Sequence, residues 1–277
     1  MKIVTKQEGA QTLVRPYTPP LAPGGLLIVT GEPADDLLQH DRGKYRASIY
    51  LPDWTEIIQA IPRGHEINKY GMTKTFPITS YHAQALRKGD ANDALPLSVS
   101  GLVFTDAGLI FGVRAGNVGN GTASVPAGHV SRSVLEAFYR ELEEELGVGK
   151  PAKALIIGDQ KNRMTNGINI VYAAETGEPF RYIQKRHAEA YRVYAEVKAR
   201  CAGLPDNERM AREEIAGRGY PPDAWEHSVL FTVDPRDVKN ALRTNSLPVG
   251  GKRYMLNGIA RGAMILHEMH QLYQPIK

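Results

Sequence analysis

Helices layered on a single sheet, an α+β or α/β sandwich, is the architecture this sequence predicts, and three observations lead to it. Residues 97–104 and 109–113 are two runs rich in apolar and β-branched residues, separated by Thr105-Asp106-Ala107-Gly108, which reads as a β-hairpin. Residues 133–146 read as a capped amphipathic helix. Beyond them, short apolar runs alternate with stretches of helical composition, and strands mixed with helices around one sheet give this class.

Taken in order, residues 1–24 carry Pro16, Pro19, Pro20 and Pro23, which predicts an irregular arm. The apolar runs 26–29 and 47–51 are strand candidates. Residues 52–58 begin like a helix, with Asp53 as N-cap and Glu56 three positions on. Lys88-Gly89-Asp90-Ala91-Asn92-Asp93 is a turn-rich linker, which sets 1–95 apart as an N-terminal extension from a domain over 96–277. After the hairpin, a loop rich in glycine and asparagine (116–121) leads into Ser124-Val125-Pro126-Ala127-Gly128-His129-Val130. In the helix that follows, Ser133 with Glu136 makes a capping box and Gly147 stands where a C-terminal glycine cap belongs. Leu135, Ala137, Phe138, Leu142 and Leu146 supply its apolar face. Strands follow at 154–157 and 168–173. The stretch 185–218 interleaves Lys185, Arg186, Glu189, Arg192, Glu196 and Lys198, the pattern of an exposed helical insertion that can serve as a lid or subunit contact. A strand at 228–233 and helices at 237–242 and 259–273 complete the chain.

Bulk properties narrow the function. With 277 residues, 42% hydrophobic and 23% charged, the chain has ordinary globular composition. The net charge of +4 suits an anionic small molecule, and without a run of five basic residues a nucleic-acid partner is not expected. A lone cysteine, Cys201, excludes an internal disulfide and fits a reducing compartment. It lies in a helical stretch with no partner residue in sight, so it reads as structural. The N-terminus lacks the apolar core of a signal peptide and no 18 apolar residues run together, so the expectation is a cytoplasmic protein with no membrane partner.

The chemistry concentrates in Arg140-Glu141-Leu142-Glu143-Glu144-Glu145-Leu146-Gly147-Val148. On an α-helix Glu141, Glu144 and Glu145 fall at i, i+3 and i+4, so three carboxylates share one face and repel by a few tenths of a kcal/mol per pair, about what isolated helices show. A divalent cation reverses that cost. Mg²⁺ takes hard oxygen ligands and bridges carboxylates to substrate phosphates. A bare Glu-rich helix would read as a solvated acidic face; its context reads otherwise.

From Arg140 to Val148 the sequence resembles the box of the Nudix hydrolases: glycine, five residues, glutamate, seven residues, then Arg-Glu-apolar-x-Glu-Glu-x-Gly-apolar. Pro126-Ala127-Gly128 looks like that family's strand-to-loop lead-in. The hairpin with its Asp106-Ala107-Gly108 turn and Gly112-Val113-Arg114 end, and Trp225-Glu226-His227 before an apolar strand, are similar too. The resemblance spans roughly 97–273. One departure stands out. Counted from Gly128, the first glutamate of the box falls on Val134, and counted back from Arg140 it falls on Arg132, so the loop is two residues short and that glutamate is missing. Glu136, four residues before Arg140, can pair with it and stand in partly.

The resemblance implies a Nudix-type mixed sheet between helices (α+β, an α/β/α sandwich) with the N-terminal extension and the helical insertion added. It implies Mg²⁺-dependent hydrolysis of a nucleoside diphosphate linked to another group, with Mn²⁺ as an alternative ion. Glu141, Glu144 and Glu145 would hold the metal, helped by the backbone carbonyl of Ala127 or Gly128. Of these, Glu141 and Glu145 would be direct ligands and Glu144 a third ligand or the group that polarises water. Glu145 would belong with Glu144 to the catalytic set, and Glu226 would be the base. Arg140 would hold the carboxylates, and Arg114, at a strand end, would grip phosphate. The Pro-Ala-Gly spelling resembles that of ADP-ribose and nucleotide-sugar pyrophosphatases. Residues 1–95 are the candidate for homodimer contacts or a substrate wall. The rival reading keeps the fold as a non-catalytic nucleotide-binding regulator, motivated by the short loop. Isomerisation of isopentenyl diphosphate would need an active-site cysteine, and Cys201 lies in the insertion.

Other signals carry less. His267-Glu268-Met269-His270 has its histidines three apart, not the four a zinc-protease helix needs, and reads as a solvated terminal helix. The loop 116–122 lacks the lysine of a phosphate loop. Tyr70, Tyr81 and His82 could stack on a base but read as core.

Overall fold

The computed structural model describes residues 3–7, 10–22, 27–30, 47–51, 65–68, 71–76, 97–115, 120–129, 134–162, 167–204 and 206–273. The hairpin is where expected, as β7 (Leu97–Thr105) and β8 (Gly108–Arg114). Along β7, Val99 and Val103 face one core and Leu102 the other. A strand apolar on both sides needs cover on both, and helices supply it.

Among the described residues the main sheet has nine strands. Its path runs β1 (Ile3–Gln7), β2 (Ala10–Leu21), β11 (Lys153–Asn162), β12 (Gly167–Glu175), β7, β8, β13 (His227–Val233). Beside that path, β10 (Ala127–His129) pairs with β7 and β9 (Ala123–Ser124) with β8. β12 and β7 run parallel and their neighbours antiparallel, so the sheet is mixed. β3 (Leu27–Thr30), β4 (Ala47–Leu51), β5 (His65–Asn68) and β6 (Gly71–Phe76) form a second sheet, and β14 (Ser246–Val249) with β15 (Lys252–Met255) a third. On one face of the main sheet lie α1 (Val134–Glu141), the turn that follows it and the start of α2 (Phe180–Arg200), through Phe138, Leu142, Phe180 and Ile183. On the other lie α4 (Val238–Thr244) and α5 (Gly258–Tyr273), through Val238, Ala241, Met264 and Leu266. The fold is α+β, a mixed sheet between helices.

The irregular arm expected over 1–24 is corrected over its described residues: Ile3–Gln7 and Ala10–Leu21 are strand. β2 pairs with β1 from Val14 back to Ala10, and on its other edge with β11. Pro16, Pro19 and Pro20 all lie past the end of the β1 pairing, and the β11 register passes from Pro16 to Leu21 without using Pro19 or Pro20. Proline is tolerated in a strand where no ladder N–H is required. A second correction concerns the terminal helix. Residues 262–270 of α5 are buried, and His267, Glu268 and His270 are each only 8% exposed. His270 Nε2 meets the carbonyl of Ile157 at 2.5 Å and His267 packs against the ring of Phe104. Polar residues enter the core here because partners distant in sequence meet them. The insertion is two helices, α2 and α3 (Asn207–Gly217), sharing a small core with buried Cys201. The helix start at 52–58, the linker at 88–93, Ser133 of the capping box, Val130, Arg132, Tyr70, Tyr81 and His82 lie outside the described residues.

Phe138 of α1 stacks on Tyr172 of β12 with ring centroids 4.2 Å apart. A Cβ on Gly101 would come within 2.3 Å of the Phe138 ring. Gly101→Ala is therefore expected to destabilise the fold by about 1–3 kcal/mol, the usual cost of overpacking a closed core. Denaturant unfolding with an unchanged m-value checks this, and a neutral result would mean that the ring can shift freely.

Candidate active site

The expected helix over 133–146 begins as α1 and ends differently. Residues Leu142–Leu146 form a π-helical turn, closed by Gly147 in the left-handed region at φ 67°. In such a turn each N–H reaches the carbonyl five residues back rather than four. The wider turn brings residues four apart into line and moves those three apart off it. Glu141 and Glu145 accordingly go inward together, at 8% and 1% exposure, while Glu144 is half-buried. The single shared face expected for all three glutamates is thus replaced by a buried pair with Glu144 beside it.

The strand before α1 completes the pair's surroundings. Ala127 and Gly128 on β10 pair with Ser100 and Val99. Ala127 N–H donates to Glu145 Oε1 at 3.4 Å. The Glu141 carboxyl lies directly on Gly128, where a Cβ would be 1.9 Å from Oε1, so only glycine leaves room for it. Arg140 donates to Glu141 Oε1 at 2.6 Å, with its Nε 4.0 Å from Glu144.

The other wall comes from β8 and β13. Their register sets His227 opposite Arg114, and Ala115 N–H donates to the Glu226 carbonyl at 2.8 Å. Arg114 and Glu226, singled out for separate roles, are joined by an ion pair of 2.5 Å. Asp223 and Arg212 were not expected. Asp223 N–H donates to the Glu144 carbonyl at 2.8 Å, and its carboxylate takes Arg212 of α3 at 2.7 Å. The helical insertion thereby reaches the site. The one available signal was Pro221-Pro222-Asp223-Ala224-Trp225-Glu226, a short helical start with acids three apart.

Burial and crowding act on every acid here. Burial pushes Glu141 up to about 7 against the pull of Arg140, with Glu144, Glu226 and Asp223 adding to the rise. Glu145, wholly enclosed, is held well above the usual carboxylate range by burial and then by Glu226 and Glu141. Burial raises Glu144, Asp223 and Glu226 as well. It drives His227 well down and takes His187 to about 4, leaving both rings neutral at pH 7.

Among the described residues no three His, Cys, Asp or Glu side chains converge as a finished cation site. Glu141 and Glu226 are each turned to a guanidinium instead. The donor set nevertheless fits a hard divalent cation: hard oxygens, mutually repelling, with Glu145 Oε2 buried and lacking a hydrogen-bond partner. Arg114, Arg140 and Arg212 are paired with Glu226, Glu141 and Asp223 respectively, and guanidinium is the group that binds phosphate oxygens in bidentate fashion. Among the described residues no helix is long and apolar enough to cross a membrane.

No protein-family profile matches the chain, and no curated protein does. Solved structures do. The NUDIX domain of Shewanella oneidensis NrtR, complexed with ADP ribose, is 18% identical over 36% of this chain and 73% of that one, at a TM-score of 0.29. The E. coli ORF135 protein is 16% identical over 66% of this chain and 95% of its own, at 0.35. An ADP compounds hydrolase is 17% identical over 56% and 69%, at 0.28. Likeness at this level carries no argument about chemistry, which rests on the chain's own residues.

Proposed function

We propose that this chain hydrolyses a diphosphate linkage in a nucleoside diphosphate derivative, releasing a nucleoside monophosphate and a phosphorylated second product, with Mg²⁺ or Mn²⁺ as cofactor. The observation that carries the reading is the buried pair Glu141 and Glu145, held beside Glu226 with too little positive charge to offset them. A bound divalent cation would supply the missing charge, stabilise phosphoryl oxygens and ease deprotonation of water. Glu141 and Glu145 would hold it, with Glu144 at the margin and the Ala127 carbonyl alongside.

The remaining roles belong to the chain. Arg114 and Arg140 exchange a carboxylate partner for a phosphate when substrate arrives. Glu226, released from Arg114 and raised by burial, accepts the proton of the attacking water. Gly128 lets the phosphate and Glu141 approach the backbone closely. The ADP-ribose or nucleotide-sugar substrate type is supported by the Pro126-Ala127-Gly128 lead-in alone.

Binding of the cation should release protons. Glu141, at about 7, still carries a proton below that pH, and a cation must displace it. Mn²⁺ affinity is therefore expected to fall as pH drops through 7, by up to about tenfold per pH unit for each carboxyl that titrates. Calorimetry in two buffers of different ionisation enthalpy checks this, and pH-independent affinity would remove these carboxyls as ligands.

The test of function is a product screen by mass spectrometry over nucleoside diphosphate derivatives with Mg²⁺, wild type beside Glu145→Gln. Turnover by wild type alone names the substrate from its two products. No turnover, with thermal stabilisation by a nucleotide, replaces this reading with the regulator, which the short loop between Gly128 and Arg140 favours.

A further inference from the structure

Glu145 has two carboxyl oxygens and the contacts above account for one. Oε1 accepts from Ala127 N–H, whereas Oε2 is buried without a hydrogen-bond partner. The atom facing it is Nδ1 of His227, 3.6 Å away. His227 is 0% exposed, and neither of its ring nitrogens has a partner. A buried polar atom left unpaired destabilises the fold. A movement of under an ångström closes this gap to a hydrogen bond. Two orphaned atoms that face each other thus have one inexpensive remedy.

The ring is fixed from several sides. The β8–β13 register sets its backbone opposite Arg114. A Cβ on Gly112 would lie 2.3 Å from the ring, so His227 sits flat against a residue that must be glycine. His187 of α2, itself buried with an unpartnered Nε2, is a close neighbour of His227. A ring this confined cannot turn away to find another partner.

We infer that His227 is a positioning residue for Glu145: Nδ1 and Oε2 share one hydrogen, which fixes where the carboxylate points within the site. The contact stands on geometry; its consequence for cation binding rests on the proposed hydrolase reading. Groups that orient a metal-binding carboxylate or imidazole from behind are worth about 10–100-fold in metal affinity.

The test uses the full chain and two readouts. In ¹⁵N-histidine NMR of the metal-free protein, the His227 Nδ1 resonance, assigned by its loss in His227→Asn, should move on Glu145→Gln and stay put on Glu141→Gln. Mn²⁺ affinity is then measured by electron paramagnetic resonance. Asparagine places its amide where Nδ1 stood, and glutamine places its amide near Nε2. His227→Leu and His227→Gln should lose about 10–100-fold in Mn²⁺ affinity, and His227→Asn should recover most of it. An Nδ1 resonance indifferent to Glu145→Gln, or equal affinities for the Asn and Gln variants, overturns the inference. Should His227→Leu fail to fold, the Asn and Gln pair still decides. A wild type that binds no Mn²⁺ removes the hydrolase reading instead, and the NMR comparison alone then judges the contact.

Discussion

Glu145→Gln is expected to abolish turnover, by about 10³-fold or more, while leaving the protein as stable as wild type or more so. The loss follows from removing a buried anionic ligand: several kcal/mol of transition-state stabilisation depend on the cation it would hold, and each 1.36 kcal/mol is about tenfold in rate. The stability gain has its own cause. An acid whose folded pKa is raised disfavours folding increasingly as pH climbs above its unfolded value near 4.5, and Glu145 is raised well above that. Glutamine keeps the shape without the charge. Replacing a desolvated, poorly compensated ion by a neutral isostere contributes about 1 kcal/mol or more at pH 7, or roughly 2–4 °C in melting temperature. The stability difference should shrink as pH is lowered toward 4.5. Melting curves at pH 5 and 7 beside steady-state rates check both halves. An active variant, or one that melts well below wild type at pH 7, would mean that Glu145 is a structural acid.

Gly128→Ala separates site from scaffold in the opposite way. The new methyl would stand 1.9 Å from Glu141 Oε1, an overlap that the carboxylate relieves by swinging aside. Because the displaced atoms are the end of a flexible side chain, the fold should lose little, about 1 kcal/mol. The site should lose much more. Moving a ligand by about 1 Å costs roughly 10²-fold in rate, and the Arg140 bond to Glu141 is disturbed at the same time. Crossing this variant with Glu141→Gln gives the decisive comparison: the two changes should be non-additive, since both remove one properly placed carboxylate. Additive losses would show that Gly128 acts on something other than Glu141.

Most of the fold was legible because it depends on local chemistry. The 97–113 hairpin, the glycine cap at Gly147 and the helical composition of 185–218 are all written in short stretches and appear as expected. What escaped depends on distant partners. Pro16, Pro19 and Pro20 look like strand breakers until β1 is known to stop pairing at Val14. The polar end of α5 looks solvent-facing until Ile157 supplies a carbonyl for His270. Within the site, Arg114 and Glu226 were each identifiable, but 112 residues separate them and only the β8–β13 register reveals that they neutralise each other. The π turn could not be read at all, since its sequence, Leu142-Glu143-Glu144-Glu145-Leu146, is equally good α-helix. Arg212 and His227 belong to no local pattern that announces a partner.

The β2–β11 pairing has a consequence for how the protein is made. Val14 pairs with Gln160, so this strand waits for about 150 further residues to be synthesised before its partner exists. At about 5–20 residues per second this delay is roughly 7–30 s. Throughout it, the β1–β2 ribbon presents an unclaimed edge that another nascent copy could take up. Slow elongation and high expression should therefore favour tangled chains, and a cell that synthesises this protein quickly and sparingly should recover more of it folded.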